Sequence, residues 1–400
     1  WGHDELRPLS RAPHDWHSAT LLITPVDSLD TLLILGLNEE AEKARRLIVD
    51  ALSFDHDIEV KNFEITIRVL GGLLSGYQMT GDGKLLDLAE DLGGRLLPVF
   101  DSPTGLPYMF VNLKTGKTSG AKSNPAEIGT LMLEFGTLGK LTGRGEFYDQ
   151  AKRGVVAMYE RRSPLGLVGE EIDVETGEWT SPVSHVGGGI DSYYEYLLKS
   201  ARLFGDADFE RMWLEAKAAL DRHLADQVAS GLWYGPVDMR SGARMAREFG
   251  ALHAFLPAVY ALGGDLERAR RLQDSCHRMW TLAGIEPEVL DYSTMKIVHA
   301  GYPLRPEIIE SAYYLRRLTG DDAYLEMGRV YFDALRAHAR VAGGYTNLKS
   351  VETMEKGDLM PSYFLAETLK YLYLIFAEDA ALDLEQVVLT TEAHPLRRAW

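Results

Sequence analysis

Carboxylates at helical spacing stand in segments of the chain that are otherwise almost uncharged. Glu64 and Arg68 lie four residues apart in NFEITIRVLGGLLSGY, and Asp191 and Glu195 lie four apart in GGGIDSYYEYLLK. Residues at this spacing share one face of an α-helix. Carboxylates buried near one another raise each other's pKa, and acid–base catalysis on a neutral, polyhydroxylated ligand depends on such raised values. The spacing therefore indicates an acid–base site.

Three more segments carry charged residues in similarly apolar surroundings. They contribute Glu127 and Glu134 in AEIGTLMLEFGTLGKL, Arg305, Glu307 and Glu310 in YPLRPEIIESAYYL, and Glu367 in SYFLAETLKYLYLIF. Each group also has a structural interpretation, since Glu64 with Arg68 could be a buried ion pair and acids in a first helical turn stabilise the helix dipole. Clusters near the starts of successive predicted helices nevertheless favour convergence on one site.

Two other polar groups have open interpretations. Asp27 and Asp30 in PVDSLDTLLILG are expected to cap the first predicted helix. His185 and His394 are either ligands or hydrogen-bonded structural residues.

The overall charge argues against polyanionic partners. The chain has 400 residues, with 42 Lys+Arg against 59 Asp+Glu and a formal net charge of −17. Such a surface repels nucleic acid and anionic membranes. The sequence also lacks the HExxH, GxxxxGK[ST], GxSxG and GxGxxG motifs and a cysteine-based zinc set. We therefore expect no nucleic-acid partner and no metalloprotease, nucleotide-dependent or serine-hydrolase chemistry.

The hydrophobic content of 46% is that of an ordinary globular protein. No apolar run approaches the roughly 20 residues that a membrane span needs, so we expect no membrane insertion. The chain starts at Trp1 without a basic and apolar leader. We expect an exported protein, periplasmic or secreted, whose leader is absent from this sequence, and we expect a monomer.

A short phrase recurs along the chain: an apolar helical stretch, a turn with glycine, then a charged amphipathic stretch. The turn glycines, separated by 45 to 62 residues, are Gly36, Gly81, Gly143, Gly205, Gly264 and Gly320. A glycine in the left-handed backbone conformation ends one helix, and an Asp or Asn that follows it caps the next helix. Each phrase therefore predicts the corner of an antiparallel helical hairpin. A seventh corner, without glycine, is predicted in YLYLIFAEDAALD at Glu378.

The repeat predicts an all-α fold in which seven inner and seven outer helices close into an (α/α)7 barrel. Inner helices are expected to be apolar on nearly all faces and outer helices on one face only. The segments Pro103 to Gly120 and Gly166 to Pro182 alternate β-forming residues around turns and predict short β-hairpins. The C-terminal LEQVVLTTEAHPLRRAW predicts a strand or hairpin. No linker-like segment occurs, so residues 1–400 are predicted to form a single catalytic domain.

Eight phrases spread over the whole chain carry a family resemblance. They are GHDELRPLS, TPVDSLDTLLILGL, NFEITIRVLGGLLSGY, NPAEIGTLMLEF, GIDSYYEYLLK, LRPEIIESAYYLRRLTGD, LAETLKYLYLIF and VLTTEAHPL. In these phrases the chain resembles the class I α-mannosidases of glycoside hydrolase family 47. The resemblance implies an (α/α)7 barrel plugged by a C-terminal β-hairpin, with Ca2+ at the barrel base. It also implies inverting hydrolysis of terminal α-1,2-linked mannose in oligosaccharides or N-glycans.

The resemblance assigns roles to individual residues. Glu64 resembles the general acid, acting through a water, and Glu307 resembles the general base. Asp191 resembles the third essential carboxylate, and either it or Glu64 is the proton donor. Thr391 resembles the calcium ligand, through its carbonyl and hydroxyl oxygens. Positions that line the −1 sugar pocket or hold calcium-bound water are matched by Arg68, Glu127, Arg305, Glu310, Phe364, Glu367 and Glu392.

Several features of this sequence depart from the pattern of the family. Cys276 is the only cysteine, so the disulfide of the eukaryotic enzymes cannot form, and no N-x-S/T sequon occurs, which favours a bacterial member. FGALHAFLPA stands where family members often carry MDHLVCFLPG, so the sugar contacts of that segment are not carried over. Gly189 stands where the endoplasmic-reticulum type has an arginine, so we expect a roomier +1 region and broader oligosaccharide use. The alternative hypotheses are a mannose- or glycan-binding homologue without catalysis, and another (α/α) barrel glycosidase or sugar epimerase.

Overall fold

Helical hairpins make up most of the fold in the computed structural model, which describes residues 2–377 and 381–399. The six corner glycines predicted from the repeat all have positive φ, between 66° and 87°. An L-residue with a side chain rarely adopts this backbone conformation, which explains why glycine recurs at these corners. The predicted corners are therefore confirmed. The corner predicted at Glu378 lies outside the described residues.

Seven helices form the inner layer. They are Ile23–Ile34; Asn62–Ile65 continued by the π-helical turn Thr66–Leu70 and by Gly71–Thr80; Pro125–Gly129 followed by Met132–Thr142; Asp191–Phe204; the 3-10 turn Ala251–Phe255 continued by Leu256–Leu262; Glu307–Thr319; and the π-helical turn Phe364–Thr368 continued by Leu369–Phe376. Each packs on the next in chain order, and the seventh packs on the first. The ring is closed, so no exposed end needs a capping repeat.

The outer layer consists of six helices within the described residues, one fewer than the predicted number. They are Asn38–Ala51, Gly83–Leu96 with the 3-10 turn Leu97–Phe100, Gly145–Glu160, Ala207–His223, Leu266–Ala283, and Ala323–Ala334 with the π-helical turn Leu335–Ala339. Their buried residues recur at helical spacing, as in Leu85, Ala89 and Leu92. The closed ring of seven inner helices confirms the predicted (α/α)7 barrel.

Short antiparallel strands connect the hairpins at one end of the barrel. Three-stranded sheets form from Glu59–Lys61, Phe110–Asn112 and Thr118–Ser119; from Lys122–Ser123, Glu171–Asp173 and Trp179–Ser181; and from Glu248–Gly250, Val289–Asp291 and Lys296–His299. Pairs form from Glu5–Arg7 and Ala12–His14, Val183–Ser184 and Val237–Asp238, Ala225–Val228 and Gly231–Tyr234, Arg340–Val341 and Gly344–Tyr345, and Leu348–Ser350 and Glu355–Lys356. Both predicted β-hairpin insertions are present.

The C-terminal strands Val387–Leu389 and Pro395–Arg397 pair as a hairpin. Its strands pack against the inner helices Gly71–Thr80 and Asp191–Phe204. Leu389 and Leu396 are fully buried, so the hairpin fills one end of the barrel as expected. Its turn carries Thr391 and Glu392 into the barrel interior.

No helix among residues 2–377 and 381–399 is both long enough and apolar enough to cross a membrane.

Candidate active site

A cavity of about 280 Å³ lies inside the barrel, where most of the inner helices begin. Ten of the predicted site residues line it: Glu64, Arg68, Glu127, Asp191, Arg305, Glu307, Glu310, Glu367, Thr391 and Glu392. Asp191 and Glu307 are each the first residue of an inner helix, and Glu64 is in a first helical turn. The barrel thus brings together carboxylates that are far apart in the sequence.

Two inner helices widen into π-helical turns where they border the cavity. The turn Thr66–Leu70 contains Arg68, and Phe364–Thr368 contains Glu367. A π-helical turn inserts an extra residue and occurs frequently at functional sites. Here it presents a charged side chain to the cavity from a helix whose neighbouring residues are buried.

Phe364 is the exception among the predicted site residues, because it does not line the cavity. It is fully buried, and its ring centroid lies 4.9 Å from that of Tyr345. Tyr363 lines the cavity instead, with its ring 5.4 Å from the Arg68 guanidinium. Neighbouring residues on a helix point in directions about 100° apart. The assignment of Phe364 from the family resemblance is therefore wrong by one residue.

Arg68 links three carboxylates at one side of the cavity. Its guanidinium donates to Glu64 Oε2 through Nε at 3.0 Å and Nη2 at 2.9 Å. Its Nη1 lies 3.0 Å from Glu392 Oε1 and 3.7 Å from Asp27 Oδ2. The predicted pair of Glu64 and Arg68 is present, and it is also part of the cavity wall.

Lys61 is a site residue that sequence reasoning missed. Its ammonium lies 2.6 Å from Glu127 Oε1 and 3.8 Å from Glu64 Oε1. Lys61 ends the strand Glu59–Lys61, directly before the helix that carries Glu64, and its position three residues before Glu64 was the available signal.

Arg305 is held by a second residue that the sequence did not single out. Its Nη2 lies 2.6 Å from Glu288 Oε1, and its Nε donates to Glu288 Oε2 at 3.2 Å. The preceding Leu304 has a φ of 66°. This conformation costs about 1–2 kcal/mol for a residue other than glycine, and such strain clusters at functional sites.

Glu310 and Glu195 share a buried cation beneath the cavity. Lys199 is 1% exposed, contacts Glu195 closely and lies 3.5 Å from Glu310 Oε1. Tyr371 also donates to Glu310 Oε1 at 3.2 Å. Both acids line the cavity, so Lys199 stabilises its floor from behind.

Glu134 lies close to this site but does not line the cavity. Glu127 and Glu134 lie seven residues apart, a spacing that predicts one shared face of a continuous helix, but the helix is interrupted between Pro125–Gly129 and Met132–Thr142. Glu134 Oε1 accepts a hydrogen bond from Tyr196 at 2.7 Å in the barrel core.

Asp27 and Asp30 do not cap the first helix. They lie within Ile23–Ile34, both fully buried, and the helix starts without a side-chain cap. Both aspartates instead face the two ring nitrogens of His394. His185 accepts a hydrogen bond from the Gly187 backbone N–H at 3.1 Å, just before Asp191.

Acidic side chains outnumber basic ones in the cavity lining by eight to three, with Lys61, Arg68 and Arg305 as the cations. Burial raises the pKa of Asp191 to about 7 and that of Glu307 to about 8. Burial also raises the pKa of Glu127 and of Glu310, each to about 7. The cavity therefore holds carboxyl groups that can give or take a proton near neutral pH.

Thr391 is placed to offer oxygen ligands to a cation. It lines the cavity, and its N–H donates to Tyr196 Oη at 3.3 Å. Within the described residues, neither its hydroxyl nor its carbonyl oxygen takes part in a hydrogen bond. No group of three or more His, Cys, Asp or Glu side chains in residues 2–377 and 381–399 could hold a metal ion by itself. A hard cation that binds oxygen atoms and water fits this donor set.

A carboxylate-lined cavity inside an (α/α) barrel agrees with the acid–base chemistry of a glycoside hydrolase. Residues 1–398 match the family described as Glycosyl hydrolase family 47, and the chain belongs to this family.

Several known proteins are similar to this chain over almost its whole length. "Alpha-mannosidase I MNS5" of Arabidopsis thaliana is 38% identical over 99% of this chain and 73% of its own length. "ER degradation-enhancing alpha-mannosidase-like protein 2" of Mus musculus is 40% identical over 94% of this chain and 67% of its own. The solved "alpha-1,2-mannosidase from Trichoderma reesei" has a TM-score of 0.91 at 26% identity, covering 99% of this chain and 94% of that one. These relatives are eukaryotic, so the expectation of a bacterial member has no support from them.

Proposed function

We propose that this chain is a calcium-dependent, inverting exo-α-1,2-mannosidase that removes terminal α-1,2-linked mannose from oligosaccharides or N-glycans. The observation that carries the proposal is that Glu64, Asp191, Glu307 and Thr391 all line the same cavity. Membership of the α-mannosidase family supports the sugar class. The alternative glycosidase or sugar epimerase would have an (α/α) barrel of six inner helices, which does not agree with the seven inner helices present.

Glu307 is proposed as the general base. In an inverting hydrolysis, the base takes a proton from water as that water attacks the anomeric carbon opposite the leaving oxygen. The bond between this carbon and the glycosidic oxygen breaks, and the acid donates a proton to that oxygen. The pKa of Glu307, raised to about 8 by burial, makes its carboxylate a stronger base than an ordinary glutamate. The guanidinium of Arg305, two residues before Glu307, opposes this rise in the pKa and favours the ionised carboxylate.

Glu64 and Asp191 are the candidates for the proton donor. Glu64 accepts two hydrogen bonds from Arg68 through one oxygen, and the family motif assigns it the donor role through a water. Asp191 accepts the Ser192 N–H at 2.8 Å, and burial raises its pKa to about 7. An acid that is half protonated near neutral pH is suited to proton donation, which favours Asp191 as the second candidate.

Calcium would be held by the hydroxyl and carbonyl oxygens of Thr391. These two oxygens, in a cavity lined by more acids than bases, fit a hard divalent cation that also keeps several water ligands. The bound cation would supply positive charge that orients the sugar hydroxyls. Glu310, Glu367 and Glu392 are proposed to hold the water around it and to line the −1 pocket together with Arg68, Glu127 and Arg305.

The approach to the cavity is proposed to accept varied glycan branches. Gly188 and Gly189 line the cavity, and Gly189 has a φ of 90°. Leu252 and Phe255, from the segment that departs from the family pattern, line it too. A long side chain at position 189 would occupy this space, so its absence favours a roomier +1 region.

Turnover of α-1,2-mannobiose tests the proposed function. Wild-type protein with Ca2+ should release mannose, and Glu307→Gln should not, while it still binds the disaccharide. A non-catalytic glycan-binding protein would bind with the same affinity in both forms and release mannose in neither. The one-domain organisation of residues 1–400, the monomeric state and export through a secretory route belong to the same proposal.

A further inference from the structure

A buried ionic cluster lies directly behind the turn that carries Thr391 and Glu392. We call it the His394 cluster, and it consists of Asp27, Asp30, Lys370 and His394, all with fully buried side chains. Asp27 and Asp30 come from the first inner helix, Lys370 from the seventh and His394 from the C-terminal hairpin. The cluster thus joins the two helices that close the barrel to the hairpin that plugs it.

The contacts of His394 match a charged ring. Its Nδ1 lies 2.7 Å from Asp30 Oδ2, and its Nε2 lies 3.1 Å from Asp27 Oδ1. A neutral imidazole has only one N–H, whereas the imidazolium has two. Both contacts are satisfied when the ring is protonated, and the pKa of His394 is accordingly raised to about 9 by the neighbouring aspartates, against the opposing effect of burial. Two cations then balance two carboxylates.

The same cluster fixes the backbone of the turn. Lys370 Nζ lies 2.8 Å from Asp30 Oδ1 and donates to the Ala393 carbonyl at 2.7 Å. The His394 N–H donates to Thr390 Oγ1 at 3.1 Å. Ala393 holds a φ of 58°, which is uncommon for alanine and persists only where the surroundings enforce it.

The ring of His394 has no room to move. A Cβ added at Gly71 would meet its Cδ2 at 2.8 Å, so the second inner helix passes against the ring at a glycine. Substitution of Gly71 would therefore displace either the helix or the imidazole.

The cluster also reaches the proposed acid through Arg68. Asp27 Oδ2 lies 3.7 Å from Arg68 Nη1, which lies 3.0 Å from Glu392 Oε1. Asp27 therefore faces His394 with one oxygen and Arg68 with the other. A shift of Asp27 would act on Arg68 and on the two carboxylates that Arg68 holds.

We infer that His394, clamped between Asp27 and Asp30, is a positioning residue that fixes Thr391 and Glu392 against Arg68 and Glu64. This inference deepens the proposed function and rests on it for the identity of the ion and substrate. It assigns no direct contact with substrate to any member of the His394 cluster.

The test compares His394→Gln with a complementary double variant. Glutamine donates from one end only, so His394→Gln leaves one buried carboxylate without a donor. In Asp27→Asn/His394→Gln, the new asparagine can donate to the glutamine oxygen while the glutamine amide donates to Asp30. The double variant also restores charge balance within the cluster. Asp221→Asn is the matched control, because Asp221 binds Tyr234 and Lys217 in the outer layer, away from the hairpin.

Three measurements are made on each folded protein: Ca2+ affinity by titration calorimetry of the metal-free form, kcat and KM on α-1,2-mannobiose, and hydrogen exchange of residues 388–396. We expect His394→Gln to weaken Ca2+ binding at least tenfold, to lower kcat more than it raises KM, and to speed exchange in the turn. The double variant should recover most of the Ca2+ affinity. Asp221→Asn should leave all three within twofold of wild type.

Faster exchange in His394→Gln with unchanged Ca2+ affinity and kcat would reduce the His394 cluster to a purely structural role and overturn the inference. Unchanged exchange in the turn would overturn it as well. A wild-type protein that neither binds Ca2+ nor cleaves mannobiose would instead reject the proposed function, and exchange in the turn would still decide whether His394 holds it.

Discussion

Removal of the buried ammonium of Lys199 should destabilise the barrel strongly. Lys199→Met leaves Glu195 and Glu310 facing each other at a site where Lys199 is 1% exposed and the acids are almost fully buried. Breaking a buried ion pair by removing one partner costs about 3–5 kcal/mol. With an unfolding entropy of about 2.1 cal/mol/K per residue, a chain of 400 residues loses about 1 °C of Tm per kcal/mol. The expected fall in Tm is therefore about 4 °C.

Lys217→Met is the matched control for this prediction. Like Lys199, Lys217 lies between two acids, Asp221 and Asp265, each at 2.8 Å, but its side chain is 19% exposed. Water can solvate the acids that remain, so we expect a cost of about 1 kcal/mol or less. Differential scanning calorimetry at pH 8 and at pH 5 compares the two variants with wild type.

The pH dependence has a defined sign. The pKa of Glu310 in the folded protein is raised to about 7, above its unfolded value, by burial. A raised carboxyl pKa destabilises the fold at high pH, and protonation relieves this as pH falls through that pKa. The Tm gap between wild type and Lys199→Met should therefore narrow from pH 8 to pH 5. Equal Tm losses for Lys199→Met and Lys217→Met, or a gap that widens at pH 5, would refute the reasoning.

Three further predictions concern catalysis and metal binding. Glu307→Gln should lower kcat by about 10²–10⁴ in steady-state assays and leave Tm unchanged or higher, because it removes a buried charge; a variant with near-normal kcat would exclude Glu307 as the base. If Asp191 donates the proton, activity should fall as pH rises above about 7. Asp191→Asn should then keep far more activity on α-mannosyl fluoride, which needs no acid, than on mannobiose. If Glu64→Gln keeps its activity on the fluoride and loses it on mannobiose, Glu64 is the donor instead. Calcium at 100 times its Kd should stabilise the protein by about 2.7 kcal/mol in thermal melts with and without EDTA, and Thr391→Ala should remove this gain; an unchanged gain in that variant would place the ion elsewhere.

The repeat pattern was sufficient to predict the barrel because each corner depends on a local feature. Gly81, Gly143 and Gly205 stand where the chain needs a positive φ, and this requirement is visible in the sequence. The β-hairpin between Gly166 and Pro182 could be predicted for the same local reason. By contrast, no local signal fixes the number of outer helices, which depends on which segments fold back over the ring.

The candidate site was predictable where a charged residue interrupts an apolar helix, as at Glu64 and Asp191. It was not predictable where function depends on the direction of a side chain, because adjacent helical residues point in different directions and Tyr363, not Phe364, lines the cavity. The partnership of Asp27 with His394 joins residues more than 360 positions apart. Spacing along the chain carries no signal for such a contact, so the local sequence predicts helix caps at these aspartates instead.

The anomeric form of the first mannose released tests the central claim most directly. Hydrolysis of α-1,2-mannobiose by wild-type protein with Ca2+, followed by ¹H NMR within the first minutes, should show β-mannose before mutarotation produces the α-anomer. This result is expected because the carboxylate of Glu307 is proposed to direct water to the face opposite the leaving oxygen. Initial release of α-mannose, or a rate unaffected by EDTA, would contradict the proposed inverting, calcium-dependent mechanism.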